Sequence, residues 1–157
     1  MTNFGFTEFL LVVLAIILVV AAVIDVRTFT ISNPLNATVA LLAPLYWWSI
    51  GLPLWPDAAI QIGVALAVFA ALALTFYLGM MGGGDVKLAA AIALWFSPVA
   101  TLQFIVITSL CGGVVTLATI AWHRWRRLPG RPEVPYGVAI ACGGMWLLAQ
   151  RFLNHFA

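Results

Sequence analysis

Two aspartates, Asp25 and Asp85, combine a residue type and a position that could do chemistry. Each lies at the end of a long apolar segment and not in a polar loop. A carboxylate inside a membrane costs about 2.5–3.5 kcal/mol at a helix centre and less at a helix end, so either acid alone is explained as an ordinary helix terminus. Two acids at the same level of a bundle can come into contact. Such a pair tends to hold one proton between two carboxyls, which suits general acid–base catalysis.

Three glycines, Gly82, Gly83 and Gly84, directly precede Asp85. Successive glycines let another backbone approach closely. A protease needs this beside its acid, because a peptide substrate must lie extended there. A flexible turn between two helices is the alternative explanation, and the glycines by themselves do not decide between the two. The order G-x-G-D together with a second aspartate at a helix end favours the protease.

The composition indicates the environment that holds these residues. Hydrophobic residues make up 64% of the 157 residues and charged residues only 8%. Soluble domains carry roughly 25% charged residues, so a soluble surface is excluded. The net charge of +2 does not indicate a nucleic-acid partner. We therefore expect an all-α polytopic membrane protein that contacts lipids, with no metal or cofactor, and the sequence does not indicate an oligomeric state.

Six apolar segments predict six transmembrane helices in one membrane-embedded domain, residues 1–157. About 20 helical residues cross a hydrocarbon core. Asn33-Pro34 and Ser97-Pro98 each place a capping residue before a proline, which is typical of a helix start. Ser97-Pro98 divides a long uncharged run, so the fourth span is short and follows the glycine-rich loop. The predicted spans are residues 7–26, 34–50, 58–79, 85–96, 98–122 and 135–153.

The basic residues predict the orientation of these spans. Six spans place the loops after the first, third and fifth on one side, and the opposite side keeps only Arg151. By the positive-inside rule the first side is cytoplasmic and both termini lie on the other side. Tryptophans near the span ends are interpreted as interfacial anchors: Trp47, Trp48, Trp55, Trp95 and Trp122. The basic residues on the cytoplasmic side are Arg27, Lys87, Arg124, Arg126, Arg127 and Arg131.

At three places the sequence resembles the type IV prepilin peptidases, membrane aspartic proteases of the GxGD kind. Asp25 is followed six residues later by Ile31-Ser32-Asn33, where the family has Ile-Pro-Asn. Gly82-Gly83-Gly84-Asp85-Val86-Lys87 resembles the second family motif, and Pro135-Tyr136-Gly137 resembles the start of its final helix. Ser32 departs from the family proline, and Pro34 stiffens the same segment.

The resemblance implies that Asp25 and Asp85 are the catalytic pair. It also implies that the enzyme removes the basic leader of prepilins or pilin-like proteins at the cytoplasmic face of the inner membrane, in pilus assembly or protein secretion. Only eight residues precede the first apolar run, so the chain is similar to the short peptidases of the tight-adherence (Flp) pilus systems. Methyltransferase activity, which larger members carry, is not expected.

Three polar residues are candidates for supporting roles. Arg27 and Lys87 each follow an aspartate by two residues, and Asn33 ends the first motif. The two cations either anchor helix ends to anionic headgroups or orient the leader peptide. A different class of function also remains open, since a transporter or channel subunit could use boundary carboxylates for ion coupling. Such acids usually lie nearer the midplane of a span, often between inverted repeats.

Overall fold

The computed structural model describes residues 4–127, 129–130 and 132–156, and the regular structure in these ranges is entirely helical. The predicted all-α class is therefore confirmed for the described part of the chain. A π-helical turn, Leu54–Ala58, leads into the third of six α-helices. The helices are α1 (Phe4–Thr28), α2 (Asn33–Ser49), α3 (Ala59–Tyr77), α4 (Gly83–Ala93), α5 (Pro98–Trp125) and α6 (Tyr136–Phe156).

Three of the described segments are long and apolar enough to cross a membrane, namely Gly5–Thr28, Leu54–Tyr77 and Pro98–Trp125. The count of six spans and the placement of both termini stay predictions. The helix α4 has 11 residues, which rise about 16 Å. That is roughly half of a 30 Å hydrocarbon core. By itself this helix is therefore too short to cross the core.

The helix starts agree with the predicted signals at one place and differ at another. Ser97 caps α5 as predicted, and its hydroxyl accepts a hydrogen bond from the Ala100 N–H at 3.4 Å. The prediction that Asn33 caps α2 is wrong, because Ser32 occupies the cap position. The Asn33 side chain is instead engaged by Lys87. At its other end α5 continues to Trp125, three residues beyond the predicted end, and Arg131 lies outside the described residues.

Glycines with positive φ end α2 and α3. Gly79 has φ +69°, which a residue with a Cβ rarely adopts. The Gly79 N–H bonds to the Phe76 carbonyl at 2.9 Å and the Met80 N–H to the Thr75 carbonyl at 3.0 Å. These two bonds form a Schellman motif, which satisfies the last carbonyls of the helix. Gly51 ends α2 with the same φ. After the Gly79 turn the chain continues to Gly82, the cap residue of α4, and to the two glycines that begin the helix.

The short helix α4 lies at the centre of the bundle. It packs against α2, α3 and α6, while α1 packs against α2 and α6, and α5 packs against α6. Leu88, Ala89 and Ile92 of α4 are fully buried. Small alanine side chains let neighbouring helices approach closely where lipid supplies no hydrophobic driving force. Because α4 is enclosed by these helices, its first turn, which contains Asp85, also lies inside the bundle.

Two of the tryptophans interpreted as interfacial anchors belong to the core. Trp95 is 2% exposed, and its indole N–H donates to the Val39 carbonyl at 3.0 Å. Tyr46 stacks on the Trp95 ring at 5.1 Å, and Arg151 donates to the Tyr46 hydroxyl. The interfacial interpretation is wrong for Trp95 because α4 is too short to bring its end to the surface. Trp47 is likewise buried, whereas Trp48, Trp55 and Trp122 are exposed.

Candidate active site

Asp25 continues the buried face of α1. Leu14, Leu18 and Ala21 precede it at helical spacing, and all three are fully buried. Asp25 itself is only 1% exposed. A carboxyl buried to this extent needs a hydrogen-bond partner. Its Oδ2 accepts a bond from the backbone N–H of Gly137 at 2.6 Å.

The Gly137 N–H is available because of where α6 begins. Gly137 is the second residue of α6, and N–H groups in the first turn of a helix have no partner inside that helix. The helix N-terminus also carries a partial positive charge that favours a carboxylate. The first turn of α6 therefore holds the carboxyl at the end of α1. Added to Gly137, a Cβ would lie 2.8 Å from Asp25 Oδ2, so this position has no room for a side chain.

Asp85 is the third residue of α4 and is 7% exposed. Its carboxyl folds back over the cap residue of its own helix, since a Cβ on Gly82 would lie 2.8 Å from Asp85 Oδ2. Gly83 lies against the ring of Phe76, which would be 3.3 Å from a Cβ there. The absence of a side chain at Gly82 leaves room for the Asp85 carboxyl, and its absence at Gly83 leaves room for the Phe76 ring of α3.

The two aspartates share a neighbour in Ile31, which contacts both Gly84, next to Asp85, and Gly137, which bonds to Asp25. They reach this arrangement from different helices, because α6 packs against both α1 and α4. One carboxyl comes from the end of α1 and the other from the beginning of α4. Two buried carboxyls at one site can pass protons to and from a reacting group.

Ile31 separates the starts of α4 and α6. A Cβ on Gly84 would lie 2.6 Å from the Ile31 carbonyl oxygen, and a Cβ on Gly137 would lie 2.7 Å from Ile31 Cδ1. At Gly84 the close approach that we predicted for a substrate backbone is therefore made by the chain's own backbone. Ile31 is not among the predicted site residues. Its signal in the sequence is an apolar side chain between two polar neighbours, Thr30 and Ser32.

The comparison with protein families bears on this arrangement. The model of the type IV leader peptidase family matches residues 12–117. The chain belongs to this family. No curated protein and no solved structure showed a significant match to it. The matched region of this leader peptidase includes Asp25, Asp85 and the glycines between α3 and α4. It ends before α6, so the contact of Gly137 with Asp25 rests on the structure.

The predicted supporting residues of this leader peptidase lie outside the carboxyl pair. Lys87 donates to Asn33 Oδ1 at 2.8 Å, and both residues are exposed. This bond ties α4 to the start of α2. Arg27 is exposed in the last turn of α1. The structure therefore brings together Asp25, Asp85, Gly82 and Gly84, and it places Lys87 and Asn33 in a separate contact.

Asn36 is a second residue that the sequence did not indicate. It is 5% exposed, and its Nδ2 donates to the Gly84 carbonyl at 3.0 Å. This bond holds the backbone immediately before Asp85 against the first turn of α2. Asn36 follows the recognised motif by three residues, but nothing in the local sequence pairs it with Gly84. Its role depends on the packing of α2 against α4.

We expect Asn36→Leu to lower the thermal stability of the leader peptidase, because it removes the buried side-chain hydrogen bond to the Gly84 carbonyl. The cost of one such buried hydrogen bond is about 1 kcal/mol. Asn33→Leu is the control, since it removes a hydrogen bond between exposed residues, which contributes little. Thermal unfolding of the two variants in the same detergent measures the difference. An equal loss of stability in both would contradict a specific role of Asn36.

Proposed function

We propose that this chain is an aspartic endopeptidase that removes the leader peptide of prepilins or pilin-like proteins. The supporting observation is that two buried carboxyls, Asp25 and Asp85, are presented by two helices on either side of Ile31 in a member of the leader peptidase family. The family itself implies a protease with a protein substrate. The aspartic mechanism and the prepilin substrate are the proposed additions.

In the proposed mechanism the two carboxyls divide the proton transfers of peptide hydrolysis. The ionised carboxyl takes a proton from a water molecule while the water oxygen attacks the scissile carbonyl carbon. The protonated carboxyl donates its proton to the carbonyl oxygen, which gives a neutral tetrahedral diol. Proton transfer to the amide nitrogen then lets the C–N bond break. No covalent acyl-enzyme forms, and the Gly137 N–H holds Asp25 in place throughout.

The cleavage is proposed to occur at the cytoplasmic face of the inner membrane. We propose that the end of the bundle that holds Asp25 and Asp85 is its basic end, since Arg27 and Lys87 each lie two residues from one of these aspartates. Arg27 lies in the last turn of α1, and His123 and Arg124 lie in the last turn of α5. Under the positive-inside rule this end faces the cytoplasm, where a leader peptide is made and is accessible.

Co-expression with the prepilins of the source organism tests this proposal. We expect the wild-type chain to shorten at least one prepilin, and the mass and N-terminal sequence of the product define the cleaved bond. The same product from a chain with both Asp25→Ala and Asp85→Ala would contradict the assignment of the carboxyls. Failure to cleave any of the prepilins would contradict the substrate class.

A further inference from the structure

A groove of about 700 Å³ runs along α4 between α2 and α3. The α2 wall includes Ala37 and Ala40, the α3 wall includes Leu66 and Phe69, and Leu94 contributes to the floor. Ala37, Leu66 and Phe69 are not buried, so the groove opens sideways to the surface that faces lipid in a membrane. Most of its lining residues are apolar, and the polar ones lie together at one end of the groove.

That end, which we call the polar end, consists of Lys87, Asn33 and Asn36. The Lys87 ammonium group uses one of its three donors on Asn33 Oδ1, which leaves two donors for a ligand. Asn36 is 5% exposed, and its Oδ1 has no hydrogen-bond partner among the described residues. A buried acceptor without a donor is rare, because it costs free energy. The polar end therefore offers a positive charge with two unused donors.

The other end of the groove is closed by Trp47. Its indole N–H donates to the Leu94 carbonyl at 2.7 Å, which fixes the ring across the space between α2 and α4. Asn33 and Trp47 are 14 residues apart on α2, a rise of about 21 Å. One leaflet of a bilayer is about 15 Å of hydrocarbon, and a spanning helix needs about 30 Å. The groove thus has the length of a chain from one leaflet.

The lining leads to the same choice, because the groove is apolar along α4 and carries a positive charge at one end, as an acyl chain with an anionic headgroup requires. The groove is also separate from the carboxyl pair, because Lys87 follows Asp85 by two residues and so points about 200° around the helix from it. These observations favour a lipid over the apolar helix of a substrate.

We propose that this groove binds an anionic phospholipid of the phosphatidylglycerol class. One acyl chain lies along α4 as far as Trp47, and the phosphate accepts hydrogen bonds from Lys87 and from the Asn33 amide. The lipid fills the space between α2 and α3 and bridges α4 to α2 beside Gly84.

Native mass spectrometry of the purified full chain in detergent tests the proposal and needs no peptidase activity. The two probes are palmitoyl-oleoyl phosphatidylglycerol and phosphatidylcholine with the same acyl chains. We expect one phosphatidylglycerol to be retained per chain, with about fivefold preference over phosphatidylcholine, as one lysine at a headgroup provides. Equal retention of the two lipids would overturn the proposal.

Two pairs of variants locate the site. Lys87→Gln is expected to remove the preference, whereas Arg124→Gln, which also removes one positive charge but at the end of α5, retains it. Ala40→Phe fills the groove and is expected to abolish retention, whereas Ala118→Phe on the exposed face of α5 is without effect. Thermal unfolding verifies that each variant is folded. Equal effects within either pair, or release of the lipid by the apolar helix of a prepilin, would overturn the assignment.

Discussion

Asp25→Asn and Asp85→Asn are each expected to lower the rate of leader removal by about 100- to 10,000-fold, the range for loss of a general acid or base. Asparagine has nearly the shape of aspartate but neither takes nor gives a proton at neutral pH. In Asp25→Asn the amide oxygen of the new side chain would still accept the Gly137 N–H, so the contact between α1 and α6 is retained. Cleavage of a prepilin by the purified, reconstituted chain measures the rate, and thermal unfolding shows that the fold is intact.

Asp57→Asn is the matched control for this experiment. Asp57 lies exposed in the π-helical turn before α3, at the other end of that helix from the glycine-rich loop. The substitution removes the same charge from the chain without touching the carboxyl pair, so we expect the wild-type rate. A wild-type rate in either Asp25→Asn or Asp85→Asn would exclude the paired-carboxyl mechanism.

The second large effect is expected from adding one methyl group at Gly137 or at Gly84. Alanine at 137 places its Cβ 2.7 Å from Ile31 Cδ1 and 2.8 Å from Asp25 Oδ2. Alanine at 84 places it 2.6 Å from the Ile31 carbonyl oxygen. Overpacking of this kind costs about 1–3 kcal/mol. A displacement of about 1 Å at a reacting group lowers a rate about 100-fold, and we expect that loss in each variant.

Gly113→Ala is the control for both glycine variants, because a Cβ at that position meets no atom within 4 Å. It is expected to cleave a prepilin at the wild-type rate. Ile31→Val, which removes Cδ1, is expected to restore part of the activity of Gly137→Ala. It should restore none in Gly84→Ala, where the obstacle is a backbone oxygen. Full activity of Gly137→Ala alone would show that the first turn of α6 does not position Asp25.

Much of the site follows from short stretches of sequence. Asp25 and Asp85 stand out because each lies at one end of an apolar segment, Asp25 at the end of α1 and Asp85 at the start of α4, and a charge in such a place is costly wherever the rest of the chain lies. The start of α5 follows from Ser97-Pro98, since capping depends on neighbouring residues. The family resemblance rests on equally local motifs, and the match over residues 12–117 confirms it.

The predictions that were wrong depended on surroundings that local sequence does not contain. Trp95 is predicted at an interface because it ends an apolar segment. It is buried because α4 is short and enclosed by α2, α3 and α6. Asn33 is predicted to cap its own helix, but Lys87, 54 residues away in sequence, engages its side chain.

The sequence by itself determined the helical class, the membrane-like composition, the pair of acids and the family, because each depends on residue type and on spacing within one segment. Only the tertiary structure decided which groups surround the acids. Gly137 is 112 residues from Asp25, and Asn36 is 48 residues from Gly84. Contacts at such separations depend on how the six helices pack, and that packing is decided by side-chain shape and burial across the whole bundle and not by any one segment.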